Sequence, residues 1–372
     1  MKKLLFAVLF IIPVILFSQA ENNQKKLLMV ISSYGKDNGK IRPGYEFDEF
    51  SQAYLIFKNN GLLINIASPK GGKAEPDNFN KEKLYNKIFL EDESAVKLLE
   101  NAKATASIDA NDYDAIYIVG GKGAMFDLPF DPSLQEIILN LYKREGTVIS
   151  SVCHGPAVFV NVQDETGYIV KGVKMTGFSN LEEDLFGKKW VKEFPFKLED
   201  KLISRGAEFE QADFMLSKVA MSGKFITGQN PFSTTKSAEE VVKALGINPV
   251  NRELYQDERS IYLIQDLFDN EKSRIWAEKE LEKNKEDYDI PLISMYGYYK
   301  ILAAEFDQAE LKKGLNLVEL IVPYFFNENL HLLLAKTYIS MDLNAKAKPI
   351  LNELISKNVF KEEAQKLLEE IN

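Results

Sequence analysis

The chain has 372 residues, of which 45% are hydrophobic and 27% are charged, a balance that is ordinary for a soluble globular protein. At roughly 100 to 200 residues per domain, this length predicts about two domains. The net charge of −9 argues against nucleic acid as a partner, because binding to a phosphate backbone requires a basic face.

The first twenty residues predict a signal peptide. A short basic segment, MKK, precedes the apolar run LLFAVLFIIPVILF, and the small residue Ala20 suits cleavage just after it. A retained membrane anchor is the alternative, although the run is short for a span and contains Pro13. We therefore expect residues 1–20 to be removed, the mature protein to be periplasmic or secreted, and no stable membrane span to remain.

Four short apolar runs between residues 26 and 152 predict buried parallel strands. Each is rich in Ile, Val and Leu and ends at a turn signal: KLLMVIS (26–32), LLINIAS (62–68), DAIYIVGG (114–121) and GTVISSV (146–152). Segments with helical spacing lie between them, at 46–59, 81–101 and 133–144. This alternation predicts an α/β fold in which helices cover both faces of a parallel sheet.

The next hundred residues continue the same domain less regularly. GVKMTG (172–177) and GAEFE (206–210) predict further strands. KVAMSGKFITG (218–228) predicts a hairpin, because the Ser222-Gly223 turn separates two apolar runs. Residues 233–245 predict a closing helix with a Ser or Thr cap.

The character of the sequence changes after residue 251. Residues 252–372 contain two glycines and three prolines, and their apolar residues recur at helical spacing. The stretch LHLLLAKTYISMDLNAKAKPILNELI resembles a tetratricopeptide repeat, and residues 291–325 are a candidate second copy about 34 residues earlier. The small, aromatic, small and large positions of that repeat fall on Ala335, Tyr338, Ala347 and Leu351. A plain helical bundle is the alternative.

We therefore predict two domains in the mature chain: an α/β domain over residues 21–250 and a smaller all-α, helical-repeat domain over 251–372. The second domain has three possible uses that the sequence leaves open. It suits binding of a protein partner in a repeat groove, a homodimer contact, or coverage of an apolar face of the first domain.

The chain has a single cysteine, Cys153, which stands directly before His154 in SSVCHGP. A lone cysteine forms no internal disulfide, so it is either a buried, inert residue or a reactive thiol. Its position between a predicted strand and a predicted helix is typical of a nucleophile elbow, and a helix N-terminus lowers a thiol's pKa. His154 is the candidate proton acceptor, whereas His331 lies in the helical region.

A glycine-rich segment, VGGKGAM (119–125), ends another predicted strand and allows close approach of the backbone to a ligand. It lacks the GxxxxGK[ST] spacing of a phosphate-binding loop. Two histidines that are distant in sequence do not make a zinc site. We therefore expect no metal.

Six motifs occur in order and carry a family resemblance over about residues 26–246. They are PGYEFDEF (43–50), IASPKGG (66–72), VGGKGAMFDLP (119–129), SVCHGPAV (151–158), TGFSNLEED (176–184) and ITGQNP (226–231). Together they resemble the PfpI-like superfamily, which has a class I glutamine amidotransferase-like fold. The branch they most resemble is that of stress chaperones acting as glutathione-independent glyoxalases, also called glyoxalase III.

The resemblance implies a flavodoxin-like, doubly wound sheet with a nucleophile elbow and no cofactor. It implies that Cys153 is the nucleophile, that His154 is its partner and that Glu183 orients this histidine. Glu49 matches the carboxyl group that handles protons beside the thiol. Gly121 and the backbone of His154 match the oxyanion donors. The implied reaction converts methylglyoxal, or a similar 2-oxoaldehyde, to a 2-hydroxy acid such as lactate.

Three departures from the branch affect the expected wall of the substrate pocket. Lys122 replaces a histidine, Glu46 replaces an aromatic or apolar residue, and Gln52-Ala53 replaces a His-Pro pair. We expect these changes to affect the substrate more than the nucleophile.

Three other functions remain open for the same scaffold. It also suits a cysteine hydrolase acting as an amidase, peptidase or deglycase. A holdase chaperone would use residues 251–372 to bind unfolded clients. A thiol redox sensor is the third alternative, because an exposed cysteine of low pKa oxidises readily.

Overall fold

The computed structural model of the protein describes residues 24–304 and 307–371. The predicted signal peptide, residues 1–20, lies outside the described residues. Within the described ranges, no helix combines the length and the apolar character that crossing a bilayer requires.

Eleven strands occur in the described part of the chain. In chain order they are β1 (Lys26–Val30), β2 (Leu63–Ser68), β3 (Lys103–Ala104), β4 (Ala115–Ile118), β5 (Val148–Val152), β6 (Gln163–Asp164), β7 (Gly167–Tyr168), β8 (Lys174–Met175), β9 (Glu208–Phe209), β10 (Val219–Ser222) and β11 (Phe225–Gly228). Seven of them form one sheet in the order β10-β11-β5-β4-β1-β2-β3. All neighbours in this sheet are parallel except the hairpin β10–β11.

The central strands are covered on both faces, since every residue of β4 and β5 is buried. The chain runs from β1 to β2 and β3 on one side of the sheet, then returns to β4 on the other side. This reversal opens a crevice at the carboxyl ends of β1 and β4, where ligands bind in such sheets. The predicted doubly wound, flavodoxin-like α/β fold is confirmed.

Seven α-helices accompany the strands. They are α1 (Phe47–Asn59), α2 (Leu84–Glu91), α3 (Glu93–Glu100), α4 (Pro132–Lys143), α5 (Asn180–Phe186), α6 (Leu198–Ser204) and α7 (Thr234–Ala244). The single helix predicted over 81–101 is therefore two helices. Asp92 separates them, because its side chain accepts from the N–H groups of Ser94 and Ala95 and so caps α3.

Two predicted strands are much shorter than expected. The segments 172–177 and 206–210 contribute only β8 and β9, which pair with each other in a separate two-stranded parallel sheet. The hairpin predicted over 218–228 is confirmed, with β10 and β11 joined at Gly223.

The rest of the described chain is helical. Its α-helices are α8 (Gln256–Phe268), α9 (Arg274–Asn284), α10 (Ile290–Ala303), α11 (Gln308–Ile321), α12 (Glu328–Ser340), α13 (Asn344–Ser356) and α14 (Lys361–Glu370). Helices α10 and α11 pack together, as do α12 and α13, and the predicted repeat positions are buried: Ala335, Tyr338, Ala347 and Leu351. Assignment of these pairs to the tetratricopeptide class stays a prediction.

The helical part, α8–α14, packs directly on the α/β part. Phe214 and Leu216, which precede β10, are buried in one apolar cluster with Ile264 and Tyr296 of the helices. Tyr85 of α2 donates a 2.6 Å hydrogen bond to the buried carboxylate of Asp257. The first of these helices starts just beyond residue 250, and the division into domains 21–250 and 251–372 stays a prediction.

Candidate functional site

The turn after β5 holds Cys153 in a strained conformation. Its φ of 59° lies in the left-handed region, which non-glycine residues rarely adopt. Two backbone hydrogen bonds fix it there: its N–H donates to Gly228 at 2.9 Å, and its carbonyl accepts from Phe178 at 2.8 Å. The geometry is that of a nucleophile elbow, which directs the thiol toward the crevice at the strand ends.

The helix predicted after the elbow is present as a 3₁₀ helix. Residues Gly155–Asn161 form a 3₁₀ helix that begins with Gly155 and Pro156. Its tighter winding keeps the chain close to the sheet. The ideal Cβ position on Gly155 lies 2.6 Å from the carbonyl oxygen of Ile118, so a side chain would not fit there.

Cys153, His154 and Glu183 form a buried relay. The thiol Sγ lies 3.3 Å from Nδ1 of His154, and Nε2 of the same ring lies 2.8 Å from Oε1 of Glu183. A carboxylate only accepts hydrogen bonds, so Nε2 of the neutral imidazole carries the proton and Nδ1 presents its lone pair to the thiol. The strained turn thus lets a histidine reach the cysteine that directly precedes it.

Two aromatic rings hold the imidazole in place. Phe178 stacks on the His154 ring with centroids 4.6 Å apart, and Phe194 meets it edge-on at 5.7 Å. His154 is consequently only 2% exposed. Sequence reasoning assigned neither aromatic residue to the site. Phe178 belongs to the TGFSNLEED motif, whereas Phe194 lies outside every motif and has no sequence signal.

Glu183 is placed by the short helix α5. Ser179 and Glu182 form a capping box at its start. The Oε1 atom of Glu182 also accepts from the N–H of Met215 at 2.7 Å and from Nδ2 of Asn230 at 2.8 Å. The structure therefore adds Glu182, a buried anchor of the helix that carries Glu183. Glu182 lies in the NLEED motif, which was a signal for it, but the functional role was assigned to the adjacent Glu183.

Glu49 lies in the first turn of α1 and is fully buried beside the thiol. Its Oε2 accepts a 2.8 Å hydrogen bond from the N–H of Gly120. Burial, assisted by the nearby charge of Glu46, raises the pKa of Glu49 well above its usual range. Burial therefore favours the protonated form of this carboxyl group.

The pKa of the Cys153 thiol is raised rather than lowered. Burial is the main cause, and the Glu49 carboxylate adds to it by repelling the thiolate. A hydrogen bond from the Gly121 N–H acts in the opposite direction without outweighing them. The predicted lowering of the thiol pKa by a following helix is therefore wrong for the resting site, which holds a neutral thiol.

Gly121 brings its backbone close to the thiol through a conformation that requires glycine. Its φ is +92°, and the ideal position for a Cβ lies 2.4 Å from the backbone nitrogen of Glu46. Within the described ranges, the backbone N–H of His154 donates to no acceptor in the protein. Of the two N–H groups predicted as oxyanion donors, that of Gly121 thus lies within hydrogen-bond reach of the thiol, and that of His154 is left without a protein acceptor in the described ranges.

Lys122 and Glu46, two of the departures from the family pattern, are neighbours in the fold. Burial, with the charges of Asp48 and Asp77, raises the pKa of Glu46 to about 7, and the charge of Lys122 opposes this rise. A cavity of about 460 Å³ lies beside Lys122 and is lined by Asn38, Gly39, Asp77, Asn78, Lys122, Lys189 and Trp190. The third departure, Gln52-Ala53, is buried in α1 and does not line this cavity.

The structure thus brings together Cys153, His154, Glu183, Glu49 and Gly121 and places Lys122 at the edge of the site. Their catalytic roles stay predictions. Among the described residues, no group of three or more His, Cys, Asp or Glu side chains is arranged to hold a metal ion.

Comparison with curated proteins finds relatives over the α/β part. Glyoxalase 3 of Candida albicans is 33% identical over 242 residues, which are 60% of this chain and 99% of the relative. The glutathione-independent glyoxalase hsp3102 of Schizosaccharomyces pombe is 30% identical over 59% of this chain and 98% of the relative.

Solved structures show the same relationship. The Francisella tularensis Rapid Encystment Protein 24 kDa aligns with a TM-score of 0.56 and 32% identity, over 60% of this chain and 99% of that one. Glyoxalase III from Candida albicans aligns with a TM-score of 0.54 and 29% identity, over 59% and 97%. The model of the DJ-1/PfpI family matches residues 41–244, the part of the chain that contains the elbow, its histidine and both glutamates. This chain therefore belongs to the DJ-1/PfpI family.

Proposed function

We propose that this protein is a cofactor-free enzyme of the glyoxalase III type. It converts methylglyoxal, or a similar 2-oxoaldehyde, to the corresponding 2-hydroxy acid through a hemithioacetal on Cys153. The observation that carries the proposal is the buried Cys153–His154–Glu183 relay beside a buried Glu49 whose pKa is raised well above its usual range. The similarity to proteins named glyoxalase 3 and glutathione-independent glyoxalase supports it.

The first step activates the thiol. Nδ1 of His154 lies 3.3 Å from Sγ and takes the thiol proton, and Glu183 stabilises the resulting imidazolium through Nε2. The thiolate attacks the aldehyde carbon and forms a carbon–sulfur bond, while the carbonyl oxygen becomes an alkoxide. The N–H groups of Gly121 and His154 stabilise this charge. One such donor typically lowers the activation barrier by about 3 to 4 kcal/mol.

The second step moves hydrogen between the two carbons. Protonated Glu49 gives its proton to the alkoxide, which completes the hemithioacetal and leaves a carboxylate. Because its pKa is raised, this carboxylate is a stronger base than an ordinary glutamate. It removes the proton from the former aldehyde carbon, and the imidazolium of His154 gives its proton to the former ketone oxygen, which completes the enediol. Glu49 returns its proton to the former ketone carbon, and the hydroxyl on the former aldehyde carbon gives its proton back to Glu49 as that carbon becomes the thioester carbonyl.

The third step releases the acid. The rearrangement leaves a thioester of the 2-hydroxy acid on Cys153. Water attacks this thioester while His154 takes a proton from it, and the carbon–sulfur bond breaks. His154 then gives that proton to the departing sulfur, which restores the thiol and releases the acid. One carbon is oxidised and its neighbour is reduced, so the reaction needs no external oxidant or reductant.

The test is incubation of the purified protein with methylglyoxal, with the products followed by NMR. We expect lactate from the wild type and none above background from Cys153→Ala. The two histidines provide a matched pair: His154→Gln should abolish turnover, whereas His331→Gln should retain it, because His331 lies on α12. Absence of lactate from the wild type would refute the proposal.

A further inference from the structure

We propose that the helical extension positions Glu183, with Tyr299 of α10 as the positioning residue that supports α5. The inference rests on the proposed function, because it concerns the same Cys153–His154–Glu183 relay. It assigns a role to the part of the chain that lies beyond residues 41–244, the segment matched by the family model.

Helix α5 is too short to be stable without tertiary contacts. It has seven residues, and isolated helices shorter than about 12 residues are marginal in water. Glu182 and Phe186 are four positions apart and share a face of this helix, whereas Glu183 lies about 100° around the axis. Contacts on the face of Glu182 and Phe186 therefore set the direction in which Glu183 points.

An aromatic chain joins α5 to α10. The ring of Phe186 meets Tyr299 edge-on with centroids 4.9 Å apart and lies 6.1 Å from Phe214. Phe214 in turn stacks on Tyr296 of α10 at 4.9 Å. Leu185 and Phe186 pack against the apolar cluster of the helical part. The side of α5 that carries Leu185 and Phe186 thus packs on the extension.

A second connection reaches Glu182 through the loop before β10. Lys300 of α10 forms an ion pair with Asp213 in this loop. Two residues further on, the N–H of Met215 donates to Oε1 of Glu182. Neighbouring residues of α10, Tyr299 and Lys300, therefore hold α5 at two points on the same face.

This support matters because the hydrogen bond from His154 to Glu183 depends on the position of α5. A displacement of about 1 Å in a catalytic group can cost about 100-fold in rate. If α10 no longer held α5, Glu183 would lose contact with Nε2, and the imidazole would no longer be fixed in the tautomer that accepts the thiol proton.

The test compares variants of the full chain. Tyr299→Ala removes the contact with Phe186, and Tyr299→Phe keeps the ring while removing a hydroxyl that has no hydrogen bond within the described ranges. Tyr324→Ala is the control within the helical part, because Tyr324 lies in the turn after α11 and is 37% exposed. If Tyr299→Ala does not fold, Tyr299→Leu removes the aromatic contact and preserves most of the apolar volume.

Two readouts separate positioning from general damage. The chain has two histidines, so labelling them with ¹⁵N gives two sets of ring signals that a His331→Gln variant assigns. The signals of His154 report its tautomer. Those of His331 report whether the helical part remains folded. Steady-state kinetics with methylglyoxal provide kcat and KM.

For Tyr299→Ala we expect a fall in kcat of about 10- to 100-fold with little change in KM. The His154 signals should move to an average of two tautomers while those of His331 stay unchanged. Tyr299→Phe and Tyr324→Ala should resemble the wild type. Wild-type His154 signals in a folded Tyr299→Ala would overturn the inference. If the wild type makes no lactate, the proposed function fails, but the histidine signals still decide whether the extension positions Glu183.

Discussion

The carboxyl group of Glu49 lies beside the thiol of Cys153 in a site that excludes solvent from both. Burial raises the pKa of each group, and the Glu49 carboxylate further raises that of Cys153. Burial therefore shifts both groups toward their protonated forms. Under the proposed mechanism, the thiol therefore stays protonated until His154 takes its proton as substrate binds.

Replacing Glu49 with glutamine tests two roles separately: proton transfer to the substrate, and the effect of the Glu49 charge on the pKa of Cys153. Glu49→Gln should lower kcat by about 100-fold or more, because the amide cannot carry a proton between the substrate carbons. The same change should lower the pKa of Cys153, since no carboxylate then repels the thiolate. The pH dependence of alkylation measures this second effect, and the single cysteine makes the signal unambiguous. An unchanged or raised thiol pKa would contradict the electrostatic argument.

Glu46 should make the fold less stable as the pH rises. Its pKa in the folded protein is about 7, against an ordinary value of 4.5, so the folded state resists its ionisation. The unfolded state releases the proton first, and the free energy of unfolding falls as the pH rises from about 4.5 to about 7.

The variant Glu46→Gln should therefore flatten this pH dependence and raise the melting temperature at pH 8 relative to the wild type. The exposed Glu286, changed to glutamine, serves as the control that should leave the profile unaltered. In Lys122→Met the positive charge that lowers the pKa of Glu46 is lost. The fall in stability should then extend to higher pH. Parallel melting curves for wild type and Glu46→Gln across the range would argue against this assignment.

Because the turn strains Cys153, a substitution there should be able to abolish activity without lowering stability. Glycine adopts a φ near +59° without the cost of about 1 to 2 kcal/mol that other residues incur. Cys153→Gly should thus be inactive yet at least as stable as Cys153→Ala, in which the strain remains. Denaturant unfolding of the two variants measures the difference. A clearly less stable glycine variant would show that the turn is not strained.

A methyl group at Gly121 should disturb the site by displacing the backbone. Gly121→Ala places Cβ against the nitrogen of Glu46, so we expect a loss of kcat/KM of about 100-fold and a lower melting temperature. Gly146→Ala is the matched control, because Gly146 also has a positive φ but faces open space. It should lose about 1 to 2 kcal/mol of stability and no activity. Equal activity losses in the two variants would contradict the argument that Gly121 is needed because its backbone lies against Glu46.

The parts of the fold that follow local rules were predictable from the sequence. The apolar runs at 26–32, 62–68, 114–121 and 146–152 each contain a strand, because buried parallel strands need uninterrupted Ile, Val and Leu. The Cys153, His154, Glu183 and Glu49 assembly followed from ordered motifs. The geometry that lets His154 reach Sγ did not, since it depends on a positive φ at a non-glycine residue.

The parts that depend on distant contacts were not predictable. The direction of the Cys153 pKa shift reverses because burial and the carboxylate of Glu49, contributed by α1, outweigh local backbone effects. Phe194 covers His154 from a segment without a motif. Glu182 gains its importance from partners after β9 and β11, which no spacing along the chain reveals.

The helices that cover α5 follow the catalytic part on the same polypeptide. A tethered neighbour acts at a high effective concentration that dilution does not change, unlike a contact supplied by a second molecule. Under the role inferred for Tyr299, each single chain carries the support for its own Glu183. Specific activity should then stay constant as the protein is diluted far below the concentrations at which subunits associate.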